Sequence, residues 1–130
     1  MEGVDLLIEI SLMHQYENLK IYQIALDLAD KVLSLAPDIK RKVGYPLADQ
    51  IQRSAVSVPS NIAEGAGRNG DKEFAQFIGI ANGSLGELHT QLRLVHRRNV
   101  IDDSTFQVMD TQINELQRML RSFLQRLNKR

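Results

Sequence analysis

The chain has 130 residues, no cysteine, and sixteen basic and sixteen acidic side chains. This length fits one domain with a substantial core. The lack of cysteine excludes a disulfide framework, a cysteine-based zinc site and a cysteine nucleophile, and it favours a reducing compartment. No apolar run approaches the ~20 residues that cross a bilayer, and the acidic start is unlike a signal peptide, so we expect a soluble cytoplasmic protein without membrane contact.

The balanced net charge argues against the strongly basic domain of a dedicated nucleic-acid binder. The charges are unevenly distributed, however. Residues 1–39 hold seven acidic and two basic side chains, whereas residues 93–130 hold eight basic and four acidic ones. An acidic beginning and a basic end can attract each other between copies of the chain.

The first predicted helix, from a cap at Asn18 to an end at Pro37, carries two apolar stripes side by side. One stripe is Leu19, Tyr22, Leu26, Ala29, Leu33 and Ala36, and the second is Ile21, Ala25, Leu28, Val32 and Leu35. One stripe suffices for the core of a bundle. We therefore expect the second stripe to be exposed on a lone bundle and to form the interface between copies.

The second predicted helix runs from Pro46, a favoured residue in a first turn, to about Gly67. Its expected core residues are Leu47, Ile51, Ala55, Val58 and Ile62. Pro59 lies within this segment, removes one backbone donor and crowds the carbonyl of Ala55. The helix should therefore kink at Pro59 or break into two.

Two further helices follow from apolar residues spaced three and four apart. The third stripe is Phe74, Ile78, Ala81, Leu85, Leu88, Leu92 and Val95, and the fourth is Phe106, Met109, Ile113, Leu116, Leu120, Phe123 and Leu127. The third helix should end near Asn99, and Asp102 or Asp103 should cap the fourth. Short connections make neighbouring helices antiparallel, so the fold class is all-α, an antiparallel up-down-up-down four-helix bundle.

Five polar residues recur at spacings of three and four on the second helix, beside Pro59, and therefore share one face. They are Arg53, Ser57, Asn61, Glu64 and Arg68. We interpret them as a hydrogen-bonded structural network, partly buried at a helix–helix or subunit contact, where Asn61 or Ser57 could bond backbone groups freed by the proline. A small-molecule pocket is the alternative.

No catalytic or metal-binding pattern is present. His89 and His96 are seven residues apart, about 10 Å along a helix and too far to share a metal, and neither they nor His14 belong to a Glu-x-x-His pair. The serines lack a histidine at a motif spacing. Gly65, Gly67 and Gly70 lack the Walker pattern and should end a helix. We expect no metal, no cofactor and no enzyme activity.

Two other groups of residues have a structural and a functional interpretation. Gly79 and Gly83, one turn apart, indicate a close approach by another helix. The basic side chains at the end of the third helix and on the fourth are candidates for nucleic-acid contact, namely Arg93, Arg97, Arg98, Arg118 and Arg121. A solvated face is favoured for them, because no aromatic residue accompanies them to stack on bases.

The stretch from Gln50 to Arg68, QIQRSAVSVPSNIAEGAGR, resembles the bacterial four-helix-bundle family that includes the 23S rRNA intervening-sequence proteins. The resemblance extends to ENLKIYQIALDLA at 17–29 and KEFAQFIGIANGSLGELHTQL at 72–92. It implies the four-helix fold, a ring of five subunits as in members of known structure, and no enzyme activity. The candidate structural or interaction motif lies within this stretch and consists of Arg53, Ser57, Pro59, Asn61, Glu64, Gly65 and Arg68.

The resemblance also suggests where the domain begins. Family members start close to the equivalent of Met13, so residues 1–13 are expected to be an N-terminal extension and residues 14–130 the bundle. The family is similar to the accessory proteins of diversity-generating retroelements, which are basic and bind RNA. The zero net charge of this chain departs from that branch.

Three functions therefore remain open. The first is a self-assembling scaffold or interaction module, whose partner is the chain itself, with a pentamer the expected number. The second is an RNA-associated accessory protein. The third is a small-molecule binder that uses the face from Arg53 to Arg68.

Overall fold

The computed structural model describes Tyr16 and residues 19–129. This part of the chain forms four helices and contains no strand, which confirms the all-α fold class. The helices are α1 (Lys20–Val43), α2 (Tyr45–Ala66), α3 (Asp71–Arg97) and α4 (Asp103–Asn128). The expected extension at 1–13, His14 and the cap at Asn18 lie outside the described residues.

The four helices pack in chain order, α1 on α2, α2 on α3 and α3 on α4, and α1 also contacts α4. Phe74 near the start of α3 contacts Phe123 near the end of α4. At the opposite end of the two helices α3 and α4, His96 of α3 stacks on Phe106 of α4 with the ring centroids 4.1 Å apart. The up-down-up-down order of all four helices stays a prediction.

The predicted stripes of α2, α3 and α4 contribute to the core, together with residues of α1. Its fully buried large side chains include Ile51, Ile62, Ile78, Leu85, Leu88, Leu92, Met109, Ile113, Leu116 and Leu120. Asp102 caps α4 as predicted, because its carboxylate accepts the backbone N–H of Thr105 at 2.7 Å. That bond lowers the pKa of Asp102, since it stabilises the charged form.

The expectation about the two stripes of α1 is wrong. Ile21, Ala25, Leu28 and Val32, expected on the surface of a lone bundle, are at most 4% exposed in this single chain, and Leu35 packs partly buried against the core. The exposed apolar residues of α1 belong to the other stripe: Leu26 is 50% exposed and Leu33 46%. Adjacent stripes of similar hydrophobicity do not reveal which one the neighbouring helices will cover.

The predicted end of α1 at Pro37 is also wrong, because the helix continues to Val43. Pro37 lies on the exposed side of the helix, where water can reach the carbonyl that its ring disturbs. The fully buried Ile39 packs the last turns against the core. The chain then turns at Gly44, whose φ of 95° is readily adopted only by glycine.

Pro59 does not divide α2, since the helix runs unbroken from Tyr45 to Ala66. The alternative of two separate helices is therefore wrong, and a bend at Pro59 stays a prediction. The start of α2 agrees with the prediction to one residue, with Pro46 in the first turn.

The interpretation of Gly79 and Gly83 as a close helix approach is wrong for this chain. A Cβ atom built on either glycine would meet no atom within 4 Å. The close approach occurs at Gly65 instead, where an added Cβ would lie 2.8 Å from Cβ of Phe77 and 2.9 Å from Cδ1 of Phe74. At Gly65 the end of α2 therefore packs so closely against the start of α3 that an added methyl group would not fit.

Candidate functional site

An apolar groove opens on the surface between α1 and α2. Its volume is about 730 Å³, and its walls are formed by Tyr22, Leu26, Ala29, Leu33, Val56, Pro59 and Ala63. Three of these, Leu26, Leu33 and Val56, are large side chains that are 44–50% exposed. A groove of this size can admit several side chains of a partner.

The rim of the groove is acidic, since Asp27 and Asp30 both line it. Gln112 of α4 donates to Asp27 at 2.8 Å, and Lys31 lies 3.1 Å from the same carboxylate. These contacts, chiefly the one from Gln112, lower the pKa of Asp27 and keep it charged. Asp30 forms no ion pair with any residue that the structure describes.

Sequence reasoning missed the groove, although one signal was present. Val56 is apolar but does not belong to the α2 stripe that faces the core. It marks a second apolar line on α2, next to Pro59 and Ala63. Together with the wide apolar surface of α1, Val56 could have indicated a groove between the two helices.

The five polar residues of α2 do not form one network. Arg53 is exposed and pairs with Asp49, outside the predicted set, at 2.9 Å. Glu64 and Arg68 pair with each other on the surface. Exposed pairs of this kind contribute little to stability, so these three residues form ordinary surface pairs.

Ser57 and Asn61, both half-buried, form the less exposed part of the predicted set. The Nδ2 group of Asn61 donates to the backbone carbonyl of Ser57 at 2.8 Å and to its hydroxyl at 2.9 Å. The Ser57 hydroxyl also shares a hydrogen bond of 2.8 Å with Ser84 of α3. Asn61 thus bonds the carbonyl of Ser57 rather than the Ala55 carbonyl crowded by Pro59, and the three side chains link α2 to α3.

Replacing Asn61 by alanine should lower the free energy of unfolding by about 1 kcal/mol, the low end of the cost of an unsatisfied polar group, because the site is half-buried. Chemical denaturation followed by circular dichroism measures this. Arg53→Ala is the control, because its ion pair is exposed and its loss should change stability by less than about 0.5 kcal/mol. Equal stabilities for the two variants would show that the Asn61 bonds contribute nothing.

A second, polar groove runs between α2 and α3 and includes Arg53 and Ser57. Its volume is about 510 Å³, and it is lined by Gln50, Arg53, Ser54, Ser57, Ser84, Glu87 and Gln91. The Oε1 atom of Gln91 is buried with no hydrogen-bond partner among the described residues. Asn61, Glu64 and Arg68 do not line this groove. Of the five polar residues on the predicted face of α2, only Arg53 and Ser57 therefore line a cavity.

The two described histidines each bond an aspartate of α4. His89, which is buried, donates from Nε2 to Asp110 at 2.6 Å, and His96 donates to Asp103 at 2.7 Å. The described residues contain no cluster of three or more potential metal ligands. Both histidines therefore connect α3 to α4.

The five candidate arginines are all exposed, but they do not form one patch. Arg93, Arg97 and Arg98 lie at the end of α3. Arg118 and Arg121 lie on α4 between the levels of Asp110 and Phe123, beside the first half of α3. They are on the order of 20–30 Å away from the end of α3 along the helix. None of the five forms an ion pair with a described residue.

No helix in the described part of the chain is both long and apolar enough to span a membrane.

Comparison with known proteins identifies the fold and a family. The model of the 23S rRNA-intervening sequence protein family matches residues 17–122. The crystal structure of a protein of unknown function from the S23 ribosomal protein family of Bacteroides thetaiotaomicron has a TM-score of 0.75 to this chain. The two sequences are 21% identical, and the match covers 80% of this chain and 97% of the other. No curated protein matches the sequence.

Proposed function

The chain belongs to the family of 23S rRNA-intervening sequence proteins, and we propose that it is a non-enzymatic helical bundle that assembles with copies of itself and acts as a scaffold or interaction module. Neither the family nor the similar crystal structure indicates a catalytic class.

The observation that supports self-assembly is the apolar groove between α1 and α2. Leu26, Leu33 and Val56 expose nearly half of their surface in one place. Exposed apolar side chains that lie together inside a polar rim are typical of interaction sites. The groove replaces the buried stripe of α1 as the proposed contact between copies.

The uneven charge distribution supports a contact between unlike faces. The groove has an acidic rim, whereas the end of α3 carries arginines that form no ion pair with a described residue. A head-to-tail contact closes into a ring when the rotation between subunits permits it. Five subunits is the number implied by the sequence resemblance.

In light scattering after size exclusion, we expect the protein at micromolar concentration to have several times the mass of one chain. Leu33→Asp should reduce the mass to that of a monomer, because the charge enters the groove, while helicity is retained since Leu33 is 46% exposed. Val108→Asp is the matched control, because Val108 of α4 is 53% exposed and lies outside the groove. A stable monomer of the unmodified protein would refute self-assembly.

RNA association is a second candidate, and the observation that favours it is the set of five exposed arginines without ion pairs among described residues. Binding through phosphates would weaken steeply with salt, because each contact releases counterions. If RNA is bound, Arg93→Gln, Arg97→Gln and Arg98→Gln together should lower both the affinity and its salt dependence in a filter-binding assay with a structured RNA. Retention that does not depend on salt would count against this function.

A further inference from the structure

We propose that the groove between α1 and α2 receives the end of α3 from a second copy of the chain. The inference rests on the self-assembly proposed above and names the two faces that meet. The groove supplies Leu26, Leu33 and Val56 with an acidic rim. The other face, called the α3 patch, consists of Leu94, Arg97 and Arg98.

The α3 patch combines an apolar centre with a basic border. Leu94 is 49% exposed although it is a large apolar side chain. Arg97 and Arg98 follow it by three and four residues, so all three lie on the same side of the end of α3. Neither arginine forms an ion pair with a described residue. This patch can place Leu94 in an apolar groove and its arginines against carboxylates.

The groove has the complementary composition. Its apolar walls suit Leu94, and two carboxylates line it, those of Asp27, which also lies 3.1 Å from Lys31, and of Asp30, which forms no ion pair with a described residue. The lowered pKa of Asp27 keeps that carboxylate charged well below neutral pH. Opposite charges around an apolar contact favour the correct orientation and speed the encounter between subunits.

A symmetric contact of groove against groove is less favourable. It would place Asp27 and Asp30 of one copy against the same residues of the other, and close like charges oppose association. A contact between groove and α3 patch instead uses a different surface on each copy. An open assembly then keeps one free groove at one end and one free patch at the other, until a closed ring joins them.

The experiment combines two variants that each inactivate one face. Leu33→Asp damages the groove, and Leu94→Asp damages the α3 patch; each variant alone should be monomeric where the parent protein is assembled. An equimolar mixture should form a dimer of one copy of each, because one intact groove and one intact patch remain. Native mass spectrometry reads the composition directly, and circular dichroism confirms that both variants remain helical.

The outcomes distinguish this inference from the proposed function. A monomeric parent protein would refute self-assembly itself. An assembled parent whose Leu94→Asp variant assembles normally, while Leu33→Asp does not, would overturn only the pairing of faces, because the groove would then receive another segment, such as residues 1–15, or a second groove. A mixture that remains monomeric would overturn it as well. Val108→Asp, with similar exposure, should assemble like the parent.

Discussion

Replacing Gly65 by alanine should destabilise the protein by about 1–3 kcal/mol, the usual effect of overpacking a close contact. The added methyl would meet Cβ of Phe77 at 2.8 Å, and that atom is fixed to the backbone of α3 and cannot rotate away. The Phe74 ring, 2.9 Å from the new atom, is held in turn against Phe123 with the ring centroids 5.2 Å apart. The ends of α2 and α3 would therefore have to separate.

Gly83→Ala is the matched control for Gly65→Ala. Gly83 also lies within a helix, but an added Cβ would meet no atom within 4 Å. This substitution should raise the free energy of unfolding by roughly 0.5–1 kcal/mol, since alanine favours the helix over glycine. Urea denaturation at one protein concentration measures both variants. Shifts of the same sign would contradict the close approach at Gly65.

Replacing Leu28 by alanine should lower the free energy of unfolding by about 2–5 kcal/mol, the range for a leucine deleted from a core. Leu28 is 1% exposed and packs within the core of the single chain. The loss should appear as unfolding of the bundle at lower urea concentration. If Leu28 instead formed an interface between copies, the variant would lose assembly and keep its helicity.

Leu33→Ala, on the same helix, is the control that distinguishes a core role of Leu28 from an interface role. Leu33 is 46% exposed, so its truncation should change stability by only about 0.5 kcal/mol. Measurement at the lowest protein concentration that circular dichroism allows keeps any contribution of assembly small. A larger effect of Leu33→Ala than of Leu28→Ala would restore the original assignment of the two stripes.

Much of the fold was predictable from the sequence, because the evidence for it is local. In α4, one stripe determines the buried face, and Met109 and Leu116 lie where the spacing places them. The cap is Asp102, one of the two residues that were predicted for it. The fold class follows from four such segments joined by short connections.

The errors concern features that depend on neighbouring helices. In α1 two stripes are apolar, and which of them is covered depends on where α2 and α4 lie. Gly79 and Gly83 have the spacing of a close helix contact, but only the packed structure shows that the contact is at Gly65. The continuation of α1 past Pro37 depends on the burial of Ile39 against other helices.

The candidate site was predicted only in part for the same reason. The ion pair of Arg53 with Asp49 is a contact between residues four apart on one helix, and the sequence contains the information for it. The bond from Ser57 to Ser84 joins two helices and requires their relative position. The groove likewise exists only once α1 and α2 lie side by side.

The two histidine–aspartate pairs also bear on the axial alignment of α4 with α3. His89 and His96 are two turns apart, and so are their partners Asp110 and Asp103, so both bonds form at a single axial alignment of the helices. If α4 shifted by one turn along α3, both histidine–aspartate hydrogen bonds would break. His89 would then be buried without its acceptor. The apolar stripes repeat every three or four residues and would resist such a slide far less. The core thus supplies most of the attraction between α3 and α4. We infer that the bond of the buried His89 to Asp110 favours the observed alignment, whereas the exposed Asp103 contributes less.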